Sequence, residues 1–190
     1  MKILNCWKTG LDKILANAEI RDMIKAFGFD INAKTGKVVY DESKLRYDKI
    51  IISADADVDG RHIQSLFYTF IWSFVPELIY NGHIYATVPP LFKVIIGKEY
   101  HYVKDEDTLE EFKKARPGKK FVVNRLKGLG EMDASELGET ILDRKNRNIK
   151  QITVEDAKKA TELFEQLMGQ SADLRKKYII EHAGEVEIYE

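Results

Sequence analysis

Three aspartates stand at alternate positions in the segment "DADVDG", residues 55–60, which begins three positions after a run of three isoleucines. Carboxylates this close together repel, and each raises the pKa of its neighbours unless a cation or solvent relieves the charge. A site of few carboxylates, completed by water and a substrate phosphate, suits Mg²⁺ better than Ca²⁺. We therefore expect Asp55, Asp57 and Asp59 to surround a metal that supports phosphoryl-transfer chemistry.

Two other interpretations of the acidic segment were weighed against a magnesium site. An EF-hand calcium loop beginning at Asp55 requires a glutamate at its twelfth position, but that position is Leu66. Its entering segment, "KIIIS", is also typical of a strand rather than of a helix. The second interpretation makes Asp59 the N-cap of a helix that starts near His62, with its neighbours merely solubilising the turn. A cap needs one aspartate, whereas three are present, yet the residues alone leave this alternative open.

A glycine turn, "RLKGLGEM" at residues 125–132, places Lys127 before Gly-Leu-Gly. Backbone N–H groups at such a turn can hold a phosphate, although alone the pattern is equally typical of a tight connection. The preceding run, residues 113–127, carries seven basic residues and no acidic one, and residues 143–150 form a second basic run. Such runs usually form a solvated face. Together with the acidic segment, they indicate a site that grips a nucleic-acid backbone.

Composition limits the class of protein. The chain has 190 residues, of which 44% are hydrophobic and 32% charged, enough for a compact core of ordinary size. No apolar run reaches the ~18 residues that span a bilayer, and the first residues lack a secretory signal. The single cysteine, Cys6, fits a reducing cytoplasm and is expected to serve packing rather than chemistry.

Hydrophobic periodicity predicts the elements that position these residues. Residues 9–29 read as a helix that breaks near Asn17 and ends toward Gly28. "KIIIS" reads as an interior parallel strand, and "DADVDG" then leads into an apolar helix from His62 to Asn81-Gly82. Further strands are predicted at residues 83–88, 91–96, 99–103 and 119–126, with Pro89-Pro90 separating the first two. The alternation of strands and helices over residues 49–126 indicates an α/β fold.

The remaining elements are predicted to be helical. Residues 106–115 read as a short helix, and residues 133–143 open with a capping box formed by Asp133 and Glu136. Residues 153–183 read as two helices divided by Gly169 and Ser171. The chain is therefore expected to end in a helical tail.

Three motifs, "DADVDGRHIQSLFYTF", "PPLFK" and "RLKGLGEM", stand in an order and approximate spacing that resemble the B subunits of bacterial type IIA topoisomerases. The resemblance extends to "MKILN" at the start and to residues 162–183 near the end. It implies a Toprim fold, a Rossmann-like parallel sheet flanked by helices, over residues 1–126. Residues 127–190 would then form the glycine motif and the helical tail.

The resemblance also implies roles for single residues. Asp55 and Asp57 correspond to the family's ligands for Mg²⁺, which Mn²⁺ can replace, and Asp59 would be a further ligand or an outer acidic group. Lys127 would act with Asp55 and Asp57 in catalysis. Four residues would contact DNA: Lys93, Arg125, Lys127 and His62. Two of these residues also have a non-functional interpretation. Lys93 would then be an ordinary exposed lysine, and His62 would be a residue at a helix start that hydrogen-bonds locally.

The family's partners follow from the same resemblance. Double-stranded DNA and an A subunit carrying the attacking tyrosine would assemble with this chain in ATP-dependent strand passage, with ATP used only by a full-length subunit. The family's first Toprim motif, a glutamate within "EGDSAGG", lies upstream of the segment that "MKILN" resembles. We therefore expect the isolated chain neither to relax DNA nor to hydrolyse ATP. The alternative is a stand-alone, metal-dependent nucleic-acid-binding module.

Overall fold

The computed structural model describes residues 3–32, 35–55, 57–126 and 128–185, without the side chain of Glu131. The α-helices it describes are α1 (Leu11–Ala16), α2 (Ala18–Phe27), α3 (Val58–Phe74), α4 (Glu77–Tyr80), α5 (Glu106–Lys114), α6 (Ala134–Leu137), α7 (Ala157–Met168) and α8 (Ala172–Glu181). The β-strands are β1 (Asp30–Ile31), β2 (Val38–Val39), β3 (Ile50–Ile52), β4 (Ile84–Thr87), β5 (Phe92–Ile96), β6 (Glu99–Val103), β7 (Val122–Arg125) and β8 (Ile149–Gln151). A π-helical turn, Gly138–Leu142, follows α6. The chain divides into two compact units, each made of more than one stretch of sequence, and one of the boundaries between them falls within α3.

The first unit comprises Met1–Asp48, Ser65–His83 and Thr153–Glu190. Its N-terminal helices confirm the predicted break, because the Asn17 side chain caps α2 by accepting the Ile20 N–H at 2.9 Å. Gly28 ends α2 with φ of 101°, a left-handed conformation that costs glycine little. Cys6 is buried, and burial raises the pKa of its thiol to about 11, which agrees with a packing role.

The single apolar helix predicted from His62 to Asn81-Gly82 is two helices in the structure. Helix α3 ends at Phe74, and α4 begins at Glu77. Pro76 lies between them, where its missing N–H and its ring prevent one continuous helix. Phe70, Ile71 and Leu78 of these helices are fully buried in the core of the first unit. No described helix is long and apolar enough to cross a membrane.

The C-terminal helices pack in the first unit through an aromatic stack. The ring of Phe164 on α7 lies 5.6 Å from the ring of Trp7 and 6.1 Å from the ring of Trp72, stacked on both. Ser171 caps α8 by accepting the Leu174 N–H at 3.4 Å. The predicted division of the tail into two helices is confirmed.

The second unit comprises Lys49–Gln64 and Ile84–Ile152, and its first sheet has the order β3-β4-β8. Strands β3 and β4 are parallel, with Ile51 opposite Tyr85, as the sequence predicts. The predicted interior position of β3 is wrong within this sheet, because β4 is the middle strand and Ile50–Ile52 are only half-buried. The sequence missed β8, which comes from the second basic run and pairs antiparallel with β4. The sheet is therefore mixed, and the α/β class is confirmed.

A second sheet of this unit is antiparallel, in the order β6-β5-β7. Pro89 and Pro90 separate β4 from β5, and the two strands belong to different sheets, as the prolines predict. Phe92, Val94 and Val103 of β5 and β6 pack with Leu109 of α5 in a buried cluster. The pairing of β5 with β7 places Lys93 opposite Asn124 and Phe92 opposite Arg125.

Candidate functional site

The acidic segment and the glycine turn meet at Asp55. This residue follows β3 and is half-buried, and its Oδ1 accepts the backbone N–H of Leu129 at 2.6 Å. A Cβ atom placed on Gly128 would lie 3.1 Å from both Cγ and Oδ1 of Asp55. Two motifs separated by about seventy residues thus meet at one carboxylate, which accepts a backbone N–H of the glycine turn.

Gly60 lies against the backbone of Asp55. A Cβ atom on Gly60 would lie 2.1 Å from the carbonyl oxygen of Asp55 and 2.8 Å from its backbone nitrogen. Gly60 lies within α3 and is not one of the glycines with positive φ. Its role is therefore close backbone approach, which a side chain would block, and not access to a left-handed conformation.

Asp57 caps the helix that follows the acidic segment. Its Oδ1 accepts the Gly60 N–H at 2.7 Å, and its carbonyl oxygen accepts the Arg61 N–H at 3.0 Å. Helix α3 starts at Val58, four residues earlier than the predicted start near His62. The interpretation of Asp59 as the cap is therefore wrong. Asp59 lies in the first turn of α3, where its negative charge interacts favourably with the helix dipole.

The remaining carboxylate oxygens suit a hydrated divalent cation. Asp55 and Asp57 each use one oxygen in a backbone hydrogen bond, and neither second oxygen has a hydrogen-bond partner within the described ranges. The described residues contain no group of three or more metal-ligating side chains. Mg²⁺ commonly takes one or two carboxylates and keeps several waters, whereas Ca²⁺ takes six to eight oxygen ligands. This donor set therefore fits Mg²⁺.

Lys93 is held in an ion pair. Its Nζ donates to Oε1 of Glu136 and lies 4.9 Å from the centre of the Tyr100 ring. The Lys93 and Glu136 side chains are 23% and 13% exposed, so the interpretation of Lys93 as an ordinary exposed lysine is wrong. The hydrogen bond raises the pKa of Lys93 and lowers the pKa of Glu136.

Glu136 has a second role that the sequence predicted. Asp133 Oδ1 accepts the Glu136 N–H at 2.9 Å, and Glu136 Oε2 accepts the Asp133 N–H at 3.1 Å, which completes the capping box. The sequence predicted only the capping box for Glu136. It did not predict that the other carboxylate oxygen accepts a hydrogen bond from Lys93, because no sequence pattern joins residues 43 positions apart. The Tyr100 hydroxyl also hydrogen-bonds Glu139 at 3.1 Å, so the surroundings of Lys93 are acidic.

The other predicted DNA contacts lie on exposed parts of the second unit. Arg125 ends β7 with an exposed side chain, and His62 is exposed in α3. Lys127 lies outside the described residues. Part of the basic run is used within α5, since Lys113 pairs with Glu110 at 2.8 Å and Arg116 lies over the Phe112 ring at 3.8 Å.

A cavity of about 590 Å³ occupies another part of the second unit. Its lining includes Tyr102, Phe112, Lys104 and Lys145. None of the predicted site residues that the structure describes lines this cavity. The described residues that the sequence assigned to the site therefore lie outside this cavity.

Comparison with known families identifies the class of this site. Residues 9–89 match the Toprim domain, and residues 118–180 match the family described as DNA gyrase B subunit, carboxyl terminus. The first match contains the acidic segment and the second contains the glycine turn, the two parts that meet at Asp55. The chain thus contains a Toprim region followed by a region of the gyrase B carboxyl-terminal family.

Individual relatives agree with this family. The chain is 44% identical to the DNA gyrase B subunit of Thermus thermophilus over 98% of its own length. It is 42% identical to the DNA gyrase B subunit of Thermotoga maritima over 98% of the chain, and 46% identical to that of Halalkalibacterium halodurans over 96%. The aligned region spans 29%, 28% and 28% of these relatives, less than a third of their length.

Proposed function

We propose that this chain supplies the metal-binding part of the DNA-cleavage core in a type II DNA topoisomerase. The observation that carries the proposal is the meeting of the acidic segment and the glycine turn at Asp55, where Leu129 donates its N–H at 2.6 Å. That contact joins segments belonging to two matched family regions. With the acidic segment and the glycine turn in contact, a cation bound by the carboxylates would lie close to a phosphodiester bound at the glycine turn.

Asp55 and Asp57 hold Mg²⁺, or Mn²⁺ in its place, through the carboxylate oxygens that their backbone hydrogen bonds leave over. Bound there, the cation supplies positive charge to a scissile phosphodiester and to the leaving oxygen. Asp59 serves as an outer acidic group, because it lies in the first turn of α3, whereas Asp57 precedes that helix. The backbone bonds orient Asp55 and Asp57 before the cation arrives.

Lys127, Arg125, His62 and Lys93 hold the DNA backbone beside the cation. Exposed Arg125 and His62 support this role, and Lys127 acts with Asp55 and Asp57 at the scissile phosphate. Lys93 differs from the others because it carries Glu136 as a counter-charge. A phosphate must therefore compete with a carboxylate for this lysine.

The partners proposed for the complete enzyme are double-stranded DNA and an A subunit that supplies the attacking tyrosine. ATP is used by a longer B subunit, in the cytoplasm. The similarity to DNA gyrase B subunits over 96–98% of this chain supports these partners. The domain division, with a Toprim core over residues 1–126 and a tail over residues 127–190, remains a prediction.

Mn²⁺ titration followed by electron paramagnetic resonance tests the metal site. We expect the chain to bind Mn²⁺ weakly, to bind it more tightly with a short DNA duplex, and to lose binding in the Asp55→Asn/Asp57→Asn variant. Removal of both carboxylates leaves the cation without protein ligands.

The matched control is Asp12→Asn/Asp22→Asn, which removes the same charge from exposed positions on α1 and α2. It should bind Mn²⁺ as the unmodified chain does. Equal Mn²⁺ binding by the two double variants would overturn the proposed metal site.

The alternative function, a stand-alone nucleic-acid-binding module, is not favoured, because residues 118–180 match a gyrase B family region. A pull-down with a purified gyrase A subunit discriminates between the two functions. Specific retention of the A subunit, with or without DNA, supports the topoisomerase assignment. Binding of DNA with no retention of the A subunit favours the module.

A further inference from the structure

We propose that Gly128 and the Leu129 N–H position Asp55 for the cation, so that DNA contact near Arg125 and cation binding at Asp55 favour each other. The inference rests on the proposed function and adds to it a physical link between the two parts of the site. Gly128 and Leu129 are positioning residues, because they contact the carboxylate and not the cation.

The first step is the contact itself. A backbone N–H donating to a carboxylate at 2.6 Å is a short, charge-assisted hydrogen bond. Gly128 lies against the same carboxylate, since an added Cβ would stand 3.1 Å from Cγ and Oδ1. The carboxylate is therefore restrained by one directional bond and by one close surface.

The second step concerns what this restraint leaves to a cation. A backbone amide carries no net charge, so Asp55 keeps its full negative charge and its second oxygen. Partners that orient metal ligands in this way commonly change metal affinity by about 10-fold to 100-fold when they are altered. Loss of the Gly128–Leu129 contact should therefore weaken the cation site without removing a ligand.

The third step links this contact to DNA. Leu129 lies four residues after Arg125, and hydrogen bonds hold described residues on either side of Lys127. The Leu126 N–H donates to the Leu91 carbonyl at 2.8 Å, and the Met132 N–H donates to the Leu129 carbonyl at 3.2 Å, with Met132 buried. A phosphate bound near Arg125 would restrain the Leu129 N–H, and that N–H in turn orients the Asp55 carboxylate. Since coupling between two sites is reciprocal, cation binding then tightens DNA binding by the same factor.

Two glycines of the same turn provide a matched test. Gly128 has φ of −172°, an extended conformation open to any residue, so Gly128→Ala changes the contact with Asp55 and adds no backbone strain. Gly130 has no atom within 4 Å of its added Cβ, so Gly130→Ala makes the same chemical change in open space. Neither variant removes a charge or a hydrogen-bonding group.

We expect Gly128→Ala to weaken Mn²⁺ binding about tenfold or more and to reduce the tightening of Mn²⁺ binding by duplex DNA. Gly130→Ala should leave both quantities unchanged. In metal-free ¹H–¹⁵N spectra, the Leu129 amide proton should shift upfield in Asp55→Asn, a change far away in sequence, and should shift further in Gly128→Ala than in Gly130→Ala, which alters the other neighbour of Leu129. This shift reports the hydrogen bond directly, which a general change in stability does not.

The outcomes separate this inference from the proposed function. If Asp55→Asn/Asp57→Asn loses Mn²⁺ binding but Gly128→Ala and Gly130→Ala bind Mn²⁺ equally, the positioning role is overturned and the metal site stands. Mn²⁺ affinity that Gly128→Ala lowers but that DNA does not raise in the unmodified chain overturns the coupling alone. Retained binding in the double aspartate variant overturns the proposed function itself.

Discussion

Asp55 and Lys93 are two charged groups of the second unit that the sequence assigned to one site, and neighbouring parts of the chain hold them differently. Asp55 is fixed by an uncharged backbone N–H of Leu129. Lys93 is fixed by the charged side chain of Glu136, which lies only seven residues after Leu129. A backbone partner orients a charge and leaves it available, whereas a side-chain ion pair orients a charge and neutralises it.

The difference has a functional consequence. A cation arriving at Asp55 has no protein cation to displace there within the described contacts. A phosphate arriving at Lys93 must compete with Glu136, whose other oxygen remains committed to the Asp133 N–H. In the proposed function, the acidic part of the site can therefore take its cation without breaking an ion pair, whereas DNA binding by Lys93 would cost the energy of its ion pair with Glu136.

The largest expected effect comes from breaking the backbone support of Asp55 at Gly60. In Gly60→Ala, the Cβ would stand 2.1 Å from the Asp55 carbonyl oxygen, so backbone must move. We expect a loss of about 1–3 kcal/mol in the free energy of unfolding, measured by urea denaturation, together with weaker Mn²⁺ binding.

The control for Gly60→Ala is Gly138→Ala. Gly138 has helical φ and ψ of −55° and −53°, and no atom lies within 4 Å of its added Cβ. Alanine should stabilise this position by about 0.5–1 kcal/mol. A Gly60→Ala variant that gained stability as Gly138→Ala does would show that the close approach to Asp55 is unimportant.

An intermediate effect should follow from releasing Lys93. Glu136→Gln removes the counter-charge, while glutamine can still complete the capping box. We expect duplex DNA affinity to rise a few-fold at low salt, because the lysine is then available to a phosphate. The slope of log K against log[salt] should steepen by about 0.9 for one additional phosphate contact. Fluorescence anisotropy over a salt series measures both quantities.

Glu139→Gln is the comparison for this variant, since Glu139 bonds Tyr100 and is not the hydrogen-bond partner of Lys93. Its salt slope should match that of the unmodified chain. Identical DNA affinities and slopes in Glu136→Gln and the unmodified chain would mean that the ion pair does not restrain Lys93.

The smallest expected effect is the pH dependence of the ion pair. The pKa of Glu136 is lowered from its ordinary value of 4.5, so its contribution to stability is present above pH 4.5 and is lost as pH falls through the lowered pKa. The pKa of Lys93 is raised from 10.5, so its contribution is present below pH 10.5 and is lost as pH rises through the raised value. Urea midpoints should therefore fall less steeply with acid in Glu136→Gln than in the unmodified chain. Parallel curves for the two proteins would contradict this assignment.

Much of the local structure could be predicted from the sequence. The helix break near Asn17, the capping box at Asp133, the separation of two strands by the paired prolines and the parallel pairing of β3 are all confirmed. Each depends on contacts between residues close in sequence or on a continuous apolar run. Strand β8 was missed because the basic residues 143–150 show no apolar alternation, and its position depends on the free edge of β4.

The sequence by itself determined the kinds of group at the candidate site: an acidic segment after a strand, and a glycine turn after a basic run. Only the tertiary structure decided their pairing. It assigned the Leu129 N–H to Asp55, gave Gly60 and Gly128 their role as close neighbours of that residue, and joined Lys93 to Glu136. The physical reason is that hydrogen bonds and close packing act over a few ångströms in space, and residues 43 or 74 positions apart meet only once the sheets have formed.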